Sequence, residues 1–391
     1  MKNDNKILIT GLGSISPLGY GSAAAWEKIL AGENGIKIKT NWANASIQPQ
    51  YYGEAPVVEF AGEVKWDDRF PPQQYSKLGL LACKKALDDA GIVLEASDNE
   101  IGLVIETSLG ATASVEDYLY DLYRFGLQKI SPVKFTKTVA NTVLGDISRV
   151  FKLNGPSSLI YNSNSITYGF DLIKKGLADI VICGGVDHYT EFRVLSEQES
   201  NHLVNVNEET DAYSAATKEP DDRRNILGDG AAFLVLESED SAARRGAKRY
   251  AELVEYHSCF DYQNVEDTTR RSPAIVKSAI DALKPIVTAS GKLVYLSAYT
   301  TAEQLEHSER HLLEDLNKQH ETYSLRHKAY TGDMKSASSI MGASIASQIL
   351  YSDRFPEPDA AGEYPSGFGY ALVNTSHEGG GSSHLLLRKT H

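Results

Sequence analysis

Short apolar runs alternate along the chain with segments whose apolar residues recur at helical spacing. Runs that are bounded by glycine, proline or polar turns are predicted to be strands. The predicted strands are residues 6–10, 101–105, 158–161, 180–183, 232–236, 293–297, 370–373 and 384–387. The predicted helices are residues 23–30, 75–90, 115–125, 139–151, 166–175 and 336–350. Because strands and helices alternate, the pattern predicts an α/β protein whose parallel or mixed sheet is covered by helices on both faces.

Glycines mark several of the predicted turns. Gly184 and Gly185 are predicted to end the strand at 180–183. Near the start, a glycine turn follows the first strand, but Ser16 stands where a dinucleotide-binding loop would have its third glycine. We therefore interpret that turn as structural. Residues 1–15 and 293–299 share a strand-then-turn pattern, which hints at two halves built alike.

The composition narrows the class of function. The chain has 391 residues, of which 39 are basic and 52 acidic, so its net charge is −13 and its pI is about 5.3. This balance argues against a nucleic-acid face and against an electrostatic membrane anchor. The sequence has no apolar run long enough to cross a bilayer, and its first residues do not have a signal-peptide pattern.

The three cysteines, Cys83, Cys183 and Cys259, are far apart and outside any CxxC pair. Neither a disulfide framework nor a thiolate zinc site is therefore expected. We expect a cytoplasmic, reducing location and no metal or other cofactor.

Seven ordered segments span nearly the whole chain and share the pattern of one enzyme family. The segments are ILITGLGSISPLGYGSAAAWEKILAGENGI (7–36), KISPVKFTKTVANTVLGDISRVFKLNGPSS (129–158), LADIVICGGVD (177–187), NILGDGAAFLVLE (225–237), RRGAKRYAEL (244–253), MKSASSIMGAS (334–344) and GFG (367–369). They resemble the β-ketoacyl synthase family of the thiolase superfamily. The resemblance implies a thiolase-like five-layered α-β-α-β-α fold with two pseudo-duplicated halves, which works as a dimer. We place the halves at residues 1–245 and 246–391.

Condensing members of this family are expected to use a cysteine at the amino end of a buried helix. There the helix dipole and the N–H groups favour a thiolate, which takes up the acyl chain. Counted from Gly155, this position holds Asn164, and Ser163 and Ser165 are the alternatives at the same elbow. None of them supplies a thiol, and a serine at a helix start more commonly caps the helix than attacks a substrate.

Two histidines of the family assist decarboxylation and stabilise the thioester oxyanion. The first belongs to an A-H-G-T pattern, where this chain has Tyr299. The second belongs to a K-S-x-x-G-H pattern; here Lys335 is kept, Ser339 is the nearest equivalent of the histidine, and one residue is missing. Lys335 is expected to pair with an acid such as Asp229. Because all three catalytic groups are absent, we expect a catalytically inactive relative that does not condense.

One branch of the family, the chain length factor or β subunit of type II polyketide synthases, also lacks the catalytic cysteine. The resemblance implies a heterodimer with a catalytic ketosynthase subunit, served by an acyl carrier protein that brings malonyl units and polyketide chains. Carrying the family pattern over places Thr112, Val115 and Leu119, at helical spacing, with the bulky Tyr118 beside them, along the tunnel that limits chain length. Phe368 matches the phenylalanine that gates the site in condensing members, and is expected to serve packing here.

Alternatives to the chain length factor remain open at this stage. The chain could be a divergent thiolase-fold acyltransferase or hydrolase, with a site rebuilt around Ser163, Asn164, Tyr299 and Ser339. It could also be a pseudoenzyme that only stabilises a partner or a carrier protein. The residues assigned to the tunnel also fit ordinary core or dimer packing.

Overall fold

The structure is a computed structural model that describes residues 6–66, 72–94, 100–206, 224–260, 280, 292–298, 302–357, 362–377 and 380–390. Its strands are β1 (Ile7–Ser16), β2 (Gly19–Tyr20), β3 (Ile36–Lys39), β4 (Gln50–Gly53), β5 (Gly102–Thr107), β6 (Ser157–Tyr161), β7 (Ile180–Asp187), β8 (Leu227–Gly228), β9 (Gly230–Ser238), β10 (Ala251–Phe260), β11 (Lys292–Leu296), β12 (Thr322–Leu325), β13 (Phe368–Ser376) and β14 (Gly381–Arg388). Its helices are α1 (Ser22–Leu30), α2 (Phe60–Glu63), α3 (Gln74–Ala90), α4 (Thr112–Phe125), α5 (Pro132–Phe135), α6 (Thr142–Phe151), α7 (Ser165–Lys174), α8 (Glu191–Glu199), α9 (Glu239–Arg245), α10 (Ala302–Asn317), α11 (Lys328–Thr331) and α12 (Ser336–Ser352), with a 3-10 turn at Leu127–Lys129.

One large sheet carries strands from both halves of the chain. Its order is β12-β11-β13-β14-β10-β1-β9-β7-β5-β6, and β2 pairs with β1 at its side. Counted outward from the centre, β1-β9-β7-β5-β6 and β10-β14-β13-β11-β12 both show two antiparallel pairings followed by two parallel ones. The two sets meet where Ile7, Leu8 and Ile9 pair with the start of β10. The repeated order confirms the predicted mixed sheet and the two halves built alike; the boundary after residue 245 stays a prediction.

Each strand of this sheet contributes to two apolar layers, because successive side chains point to opposite faces. In β5, Val104 packs into the central layer, together with α7 and α12 and with strands of the second half. Leu103 and Ile105 pack on the other face, against residues of α3 and α6. On the second half, Leu293 of β11 and Leu312 of α10 belong to a third layer. Helices and strands therefore alternate in the predicted five-layered, thiolase-like arrangement.

Helix α12 is the most deeply buried helix in the central layer, because every residue from Ser336 to Leu350 is buried. Its amino end packs directly on β7: a methyl group placed on Gly185 would overlap with the Ser336 carbonyl group. A methyl group on Gly184 would overlap with the ring of Phe233. The prediction that these glycines end the strand is wrong. Strand β7 continues through both of them to Asp187, and the glycines let the two neighbours approach.

The ends of some elements also differ from the prediction. Helix α4 begins at Thr112 rather than at residue 115, and α6 begins at Thr142 rather than at 139. Strand β10 has no predicted counterpart, because its second half alternates between exposed and half-buried residues and pairs with β14 far along the chain. Within the described ranges, none of the helices has the length and apolar character needed to cross a membrane.

Candidate functional site

Asn164, the residue that the resemblance matches to the family's cysteine, caps helix α7. The residue is fully buried, and its side-chain Oδ1 accepts hydrogen bonds from the N–H groups of Ile166 (2.9 Å) and Thr167 (3.3 Å). The chain enters the helix through a tight elbow, in which Asn162 has a φ of 46°. The amide oxygen therefore takes up the N–H groups that would stabilise a thiolate. Its Nδ2 has no hydrogen-bond partner among the described residues.

The two serines beside Asn164 lie in different environments. Ser163 is exposed at the turn. Ser165 is fully buried, and its hydroxyl has no hydrogen-bond partner in the described part of the chain. A serine nucleophile needs a base within hydrogen-bond reach. Neither hydroxyl shows such a partner among the described residues, so the geometry does not favour the rebuilt hydrolase site.

Glu106, at the carboxyl end of β5, completes the polar cluster and was missed in the sequence. Its side chain is fully buried; Oε2 accepts the N–H of Ser165 at 2.6 Å, and Oε1 is hydrogen-bonded to the hydroxyl of Ser339. Burial raises the pKa of this carboxyl well above its usual range, although the two hydrogen bonds act in the opposite direction. The available signal was a carboxylate directly after the apolar run 101–105.

Ser339 thus joins the site from the first turn of α12. Its hydroxyl is also 2.8 Å from the carbonyl oxygen of Ser336, and the residue is buried. The structure therefore brings together Asn164, Ser165, Glu106 and Ser339 around the start of α7. Tyr299 lies outside the described residues.

Asp187 holds the surroundings of this cluster in place. Its buried carboxylate accepts hydrogen bonds from the Thr107 hydroxyl (2.7 Å) and from the N–H groups of Ser108 (3.0 Å), Leu109 (2.8 Å) and Ser336 (2.9 Å). Burial raises the pKa of Asp187, and these bonds partly offset the shift. One side chain thereby ties the loop after β5 to the start of α12.

The cysteines make none of the hydrogen bonds described for this cluster. Cys183 is on β7 beneath α7, where a methyl group on Gly169 would overlap with its sulfur. Burial raises the pKa values of both Cys183 and Cys83 well above the usual range of a thiol. Cys259 is on β10 and is half-buried. Within the described part of the chain, none of these thiols belongs to the polar cluster, and no group of acids, histidines and cysteines could hold a metal ion.

Comparison with known proteins identifies the family. Residues 4–242, more than half of the chain, match the family model described as the N-terminal domain of β-ketoacyl synthase. The chain belongs to the β-ketoacyl synthase family. It is 26% identical over 318 residues to the 3-oxoacyl-[acyl-carrier-protein] synthase 2 of Rhizobium meliloti (strain 1021), which covers 76% of this chain and 74% of that protein.

Solved structures show the same fold. The ishigamide ketosynthase/chain length factor superposes with a TM-score of 0.82 at 19% identity, covering 99% of this chain and 100% of that one. AntDE:AntF, a type II PKS acyl-carrier protein in complex with its ketosynthase, gives a TM-score of 0.78 at 20% identity, with coverage of 99% and 100%. At these identities the likeness demonstrates the β-ketoacyl synthase fold.

A second lysine segment fits the β-ketoacyl synthase pattern K-S-x-x-G-H better than the one that starts at Lys335. In residues 328–333 (KAYTGD), the lysine, the glycine and the last position have the family spacing with no residue missing, and Asp333 stands at the last position. Lys328 Nζ is 2.9 Å from Asp333, and Asn225 donates to the same carboxylate at 2.9 Å. On this assignment an aspartate, held by a lysine, replaces the second histidine.

Lys335 takes a structural position just before α12. It has a φ of 51°, and its backbone N–H donates to Asp333 at 3.0 Å. Although burial acts in the opposite direction, the charges of Lys328 and Lys335 hold the pKa of Asp333 well below its usual range. The acid beside Lys335 is thus Asp333, whereas Asp229, the partner considered from the sequence, lies 3.2 Å from Nδ1 of His188.

Phe368, which the resemblance matches to the gating phenylalanine of the family, packs in the central apolar layer. Phe368 begins β13 and pairs with Lys292 at the start of β11. Its buried ring packs edge-on against Tyr323, with 5.4 Å between the ring centroids. The turn that approaches the elbow is instead the one between β13 and β14, because the position of a Cβ on Gly381 is 3.4 Å from the carbonyl oxygen of Asn162.

The four residues assigned to the tunnel all lie on α4, whose single buried residue is Ser114. Thr112 is half-buried, and its hydroxyl donates to the Leu109 carbonyl at 2.6 Å. Val115 and Tyr118 are half-buried, and Leu119 is 53% exposed. These side chains lie on a largely uncovered helix, so a tunnel wall at this place requires a second protein surface.

Proposed function

We propose that this chain is a chain length factor: a non-condensing subunit that pairs with a catalytic ketosynthase of a type II polyketide synthase and shapes the tunnel that limits polyketide length. The observation that carries the proposal is the Asn164 cap. An amide cannot accept an acyl group, and its oxygen takes up the N–H groups at the start of α7. The fold of a condensing enzyme is thus kept without its nucleophile.

The free edge of the outermost strand is an argument for a partner of the same fold. Strand β6 is last in the order, and in the described part of the chain no strand pairs with its other side. An unpaired edge offers a row of N–H and C=O groups to another strand. A subunit of the same family presents an equivalent edge, so two such sheets can join across a pseudo-twofold axis.

An apolar surface extends next to this edge. Residues 119–139 expose large side chains, among them Tyr123 (96% exposed), Leu127 (76%) and Phe135 (57%). Tyr161 at the end of β6 is also exposed (54%). Contiguous exposed apolar surface of this kind is typical of a protein-binding surface. A ketosynthase on this surface would cover α4 and complete the tunnel wall.

The carrier protein is proposed as a partner of the complex rather than of this chain alone. One structural relative is an acyl-carrier protein in complex with its ketosynthase. Because carrier proteins are usually acidic and this chain has a net charge of −13, we expect the carrier to dock mainly on the ketosynthase subunit.

The basic test is co-expression with a type II ketosynthase that has its catalytic cysteine and both histidines. The proposal expects a one-to-one complex that makes a polyketide of defined length, and little or no product from either subunit alone. A chain that purifies alone and turns over acyl thioesters would contradict it.

Enlarging Val115 or Leu119 to tryptophan in the complex is expected to shorten the product by one or more extension units. The two residues are four apart and share a face of α4, so a larger ring would intrude on the tunnel at a cost of about 1–3 kcal/mol. Asp117→Trp, on the opposite face, is the matched control and should leave the length unchanged. The measurement is the mass of the released polyketide. Unchanged length in both variants would favour a pseudoenzyme that only stabilises its partner.

A further inference from the structure

The carboxyl of Glu106 connects two helices at the centre of the site. Oε2 accepts the N–H of Ser165, the first residue of α7, at 2.6 Å. Oε1 is hydrogen-bonded to the hydroxyl of Ser339 in the first turn of α12. A charged or neutral carboxyl can accept both bonds, so the protonation state has to be decided from the donors that are available.

The hydroxyl of Ser339 makes one more hydrogen bond when the carboxyl is neutral. This oxygen is also 2.8 Å from the carbonyl oxygen of Ser336, which can only accept. A hydroxyl has one proton, and if Ser339 gives it to Ser336, the bond to Glu106 needs a proton from the carboxyl. The Ser336 carbonyl also accepts the helix hydrogen bond of Ile340, so either protonation state leaves it with a donor; a neutral Glu106 adds one bond, because it donates to Ser339 while the hydroxyl proton stays on Ser336.

The surroundings of Glu106 also favour its neutral form. Glu106 is fully buried, and an isolated buried carboxylate is costly. Among the residues that the structure describes, the titratable groups that act on it or respond to its charge are Asp187, a second buried carboxyl, and Cys183. Neither of them supplies a positive charge that would compensate an ionised Glu106.

We propose that Glu106, as a neutral carboxylic acid, is a built-in occupant of the vestigial centre. It takes the Ser165 N–H and the Ser339 hydroxyl, which would otherwise be available to a bound acyl group or to a thiolate at position 164. This inference rests on the proposed non-condensing function. It adds that the centre is closed by two residues, Asn164 and Glu106, so that restoring a cysteine alone does not restore a reactive thiol.

The test uses three variants of the full-length chain: Asn164→Cys, Asn164→Cys with Glu106→Ala, and Asn164→Cys with Glu106→Gln. Glutamine is the matched control, because its oxygen can accept the Ser165 N–H and its amide nitrogen can donate to Ser339. Each variant is treated with iodoacetamide, and peptide mass mapping follows alkylation at position 164 separately from Cys83, Cys183 and Cys259. We expect the alanine variant to react at least tenfold faster than the other two. Equal rates in all three variants would overturn the proposal.

The protonation state can be tested without a new thiol. The infrared difference spectrum between the wild type and Glu106→Gln should contain the carbonyl stretch of a protonated carboxylic acid at neutral pH. A carboxylate signal in its place would overturn the proposal even if the alanine variant failed to fold.

The pH dependence of thermal stability is a further test, because a raised pKa of Glu106 predicts whether the difference in melting temperature rises or falls with pH. A carboxyl whose folded pKa is raised loses its contribution to stability as the pH rises from the unfolded value, about 4.3, through the higher folded value. The melting temperature of Glu106→Gln relative to the wild type should therefore increase with pH above about 4.3. A difference that is constant with pH would count against a neutral Glu106. Pairing with the ketosynthase is measured separately, so a complex that forms and sets product length would keep the proposed function even if this inference failed.

Discussion

Replacing Leu159 by proline is expected to weaken the pairing of this chain with its ketosynthase roughly tenfold to a hundredfold, whereas replacing it by alanine should leave the affinity nearly unchanged. Leu159 is in the middle of β6, the outermost strand of the sheet. The N–H of Asn162 donates to β5 at Thr107, and the N–H of Leu103 donates back to Pro156. Because N–H groups alternate in direction along a strand, the N–H of Leu159 points to the free edge.

Proline and alanine both remove the leucine side chain, but only proline removes this N–H and places its ring on the edge. A buried carbonyl of the partner would then lack its donor, at a cost of about 1–3 kcal/mol, which corresponds to roughly tenfold to a hundredfold weaker binding. The measurement is the dissociation constant of the purified subunits, with co-purification on a tagged ketosynthase as a first screen. A proline variant that binds as tightly as the alanine variant would exclude β6 from the interface.

Replacing Asp187 by alanine is expected to destabilise the chain by at least about 4 kcal/mol. The carboxylate is the acceptor for four donors, on the buried residues Thr107 and Ser336 and on the half-buried residues Ser108 and Leu109, and each orphaned donor costs about 1–3 kcal/mol. Such a loss is exceptional for one substitution and comparable to the whole stability of many domains.

The matched control is Asp187→Asn, which has the same shape and keeps one acceptor oxygen, so its loss should be about half as large. Denaturant unfolding followed by circular dichroism measures both variants. An alanine variant within about 1 kcal/mol of the wild type would show that Asp187 does not hold the loop after β5 and the start of α12.

The elements with strong local patterns could be predicted from the sequence. Strands β5, β7 and β9 are apolar runs, and α3 and α12 have long helical patterns. Elements that depend on partners far away along the chain were harder to predict from the sequence. Strand β10 lacks an apolar pattern along its second half because its pairing with β14 stabilises it there, and the glycines in β7 are explained only by the close approach of α12 and Phe233.

The residues of the candidate site likewise divide into those with a local sequence signal and those that depend on distant partners. Asn164, with Ser163 and Ser165 as alternatives, could be proposed from the family resemblance, because all three lie on a continuous segment that starts at Gly155. Glu106 could not be recognised, since its partners Ser165 and Ser339 are 59 and 233 residues away along the chain. Phe368 was matched to the gate from the short GFG signal alone; it lies at the start of β13, whereas the turn that approaches the elbow is the one between β13 and β14.

The central claim is that this chain carries no acyl group and forms no carbon–carbon bond by itself. The most direct measurement is the intact mass of each subunit after the complex is incubated with an acyl-loaded carrier protein and a malonyl-loaded one. We predict an acyl adduct on the ketosynthase only, and no elongation by this chain alone. An adduct on this chain, together with elongation of the malonyl substrate in the absence of the ketosynthase, would contradict the account.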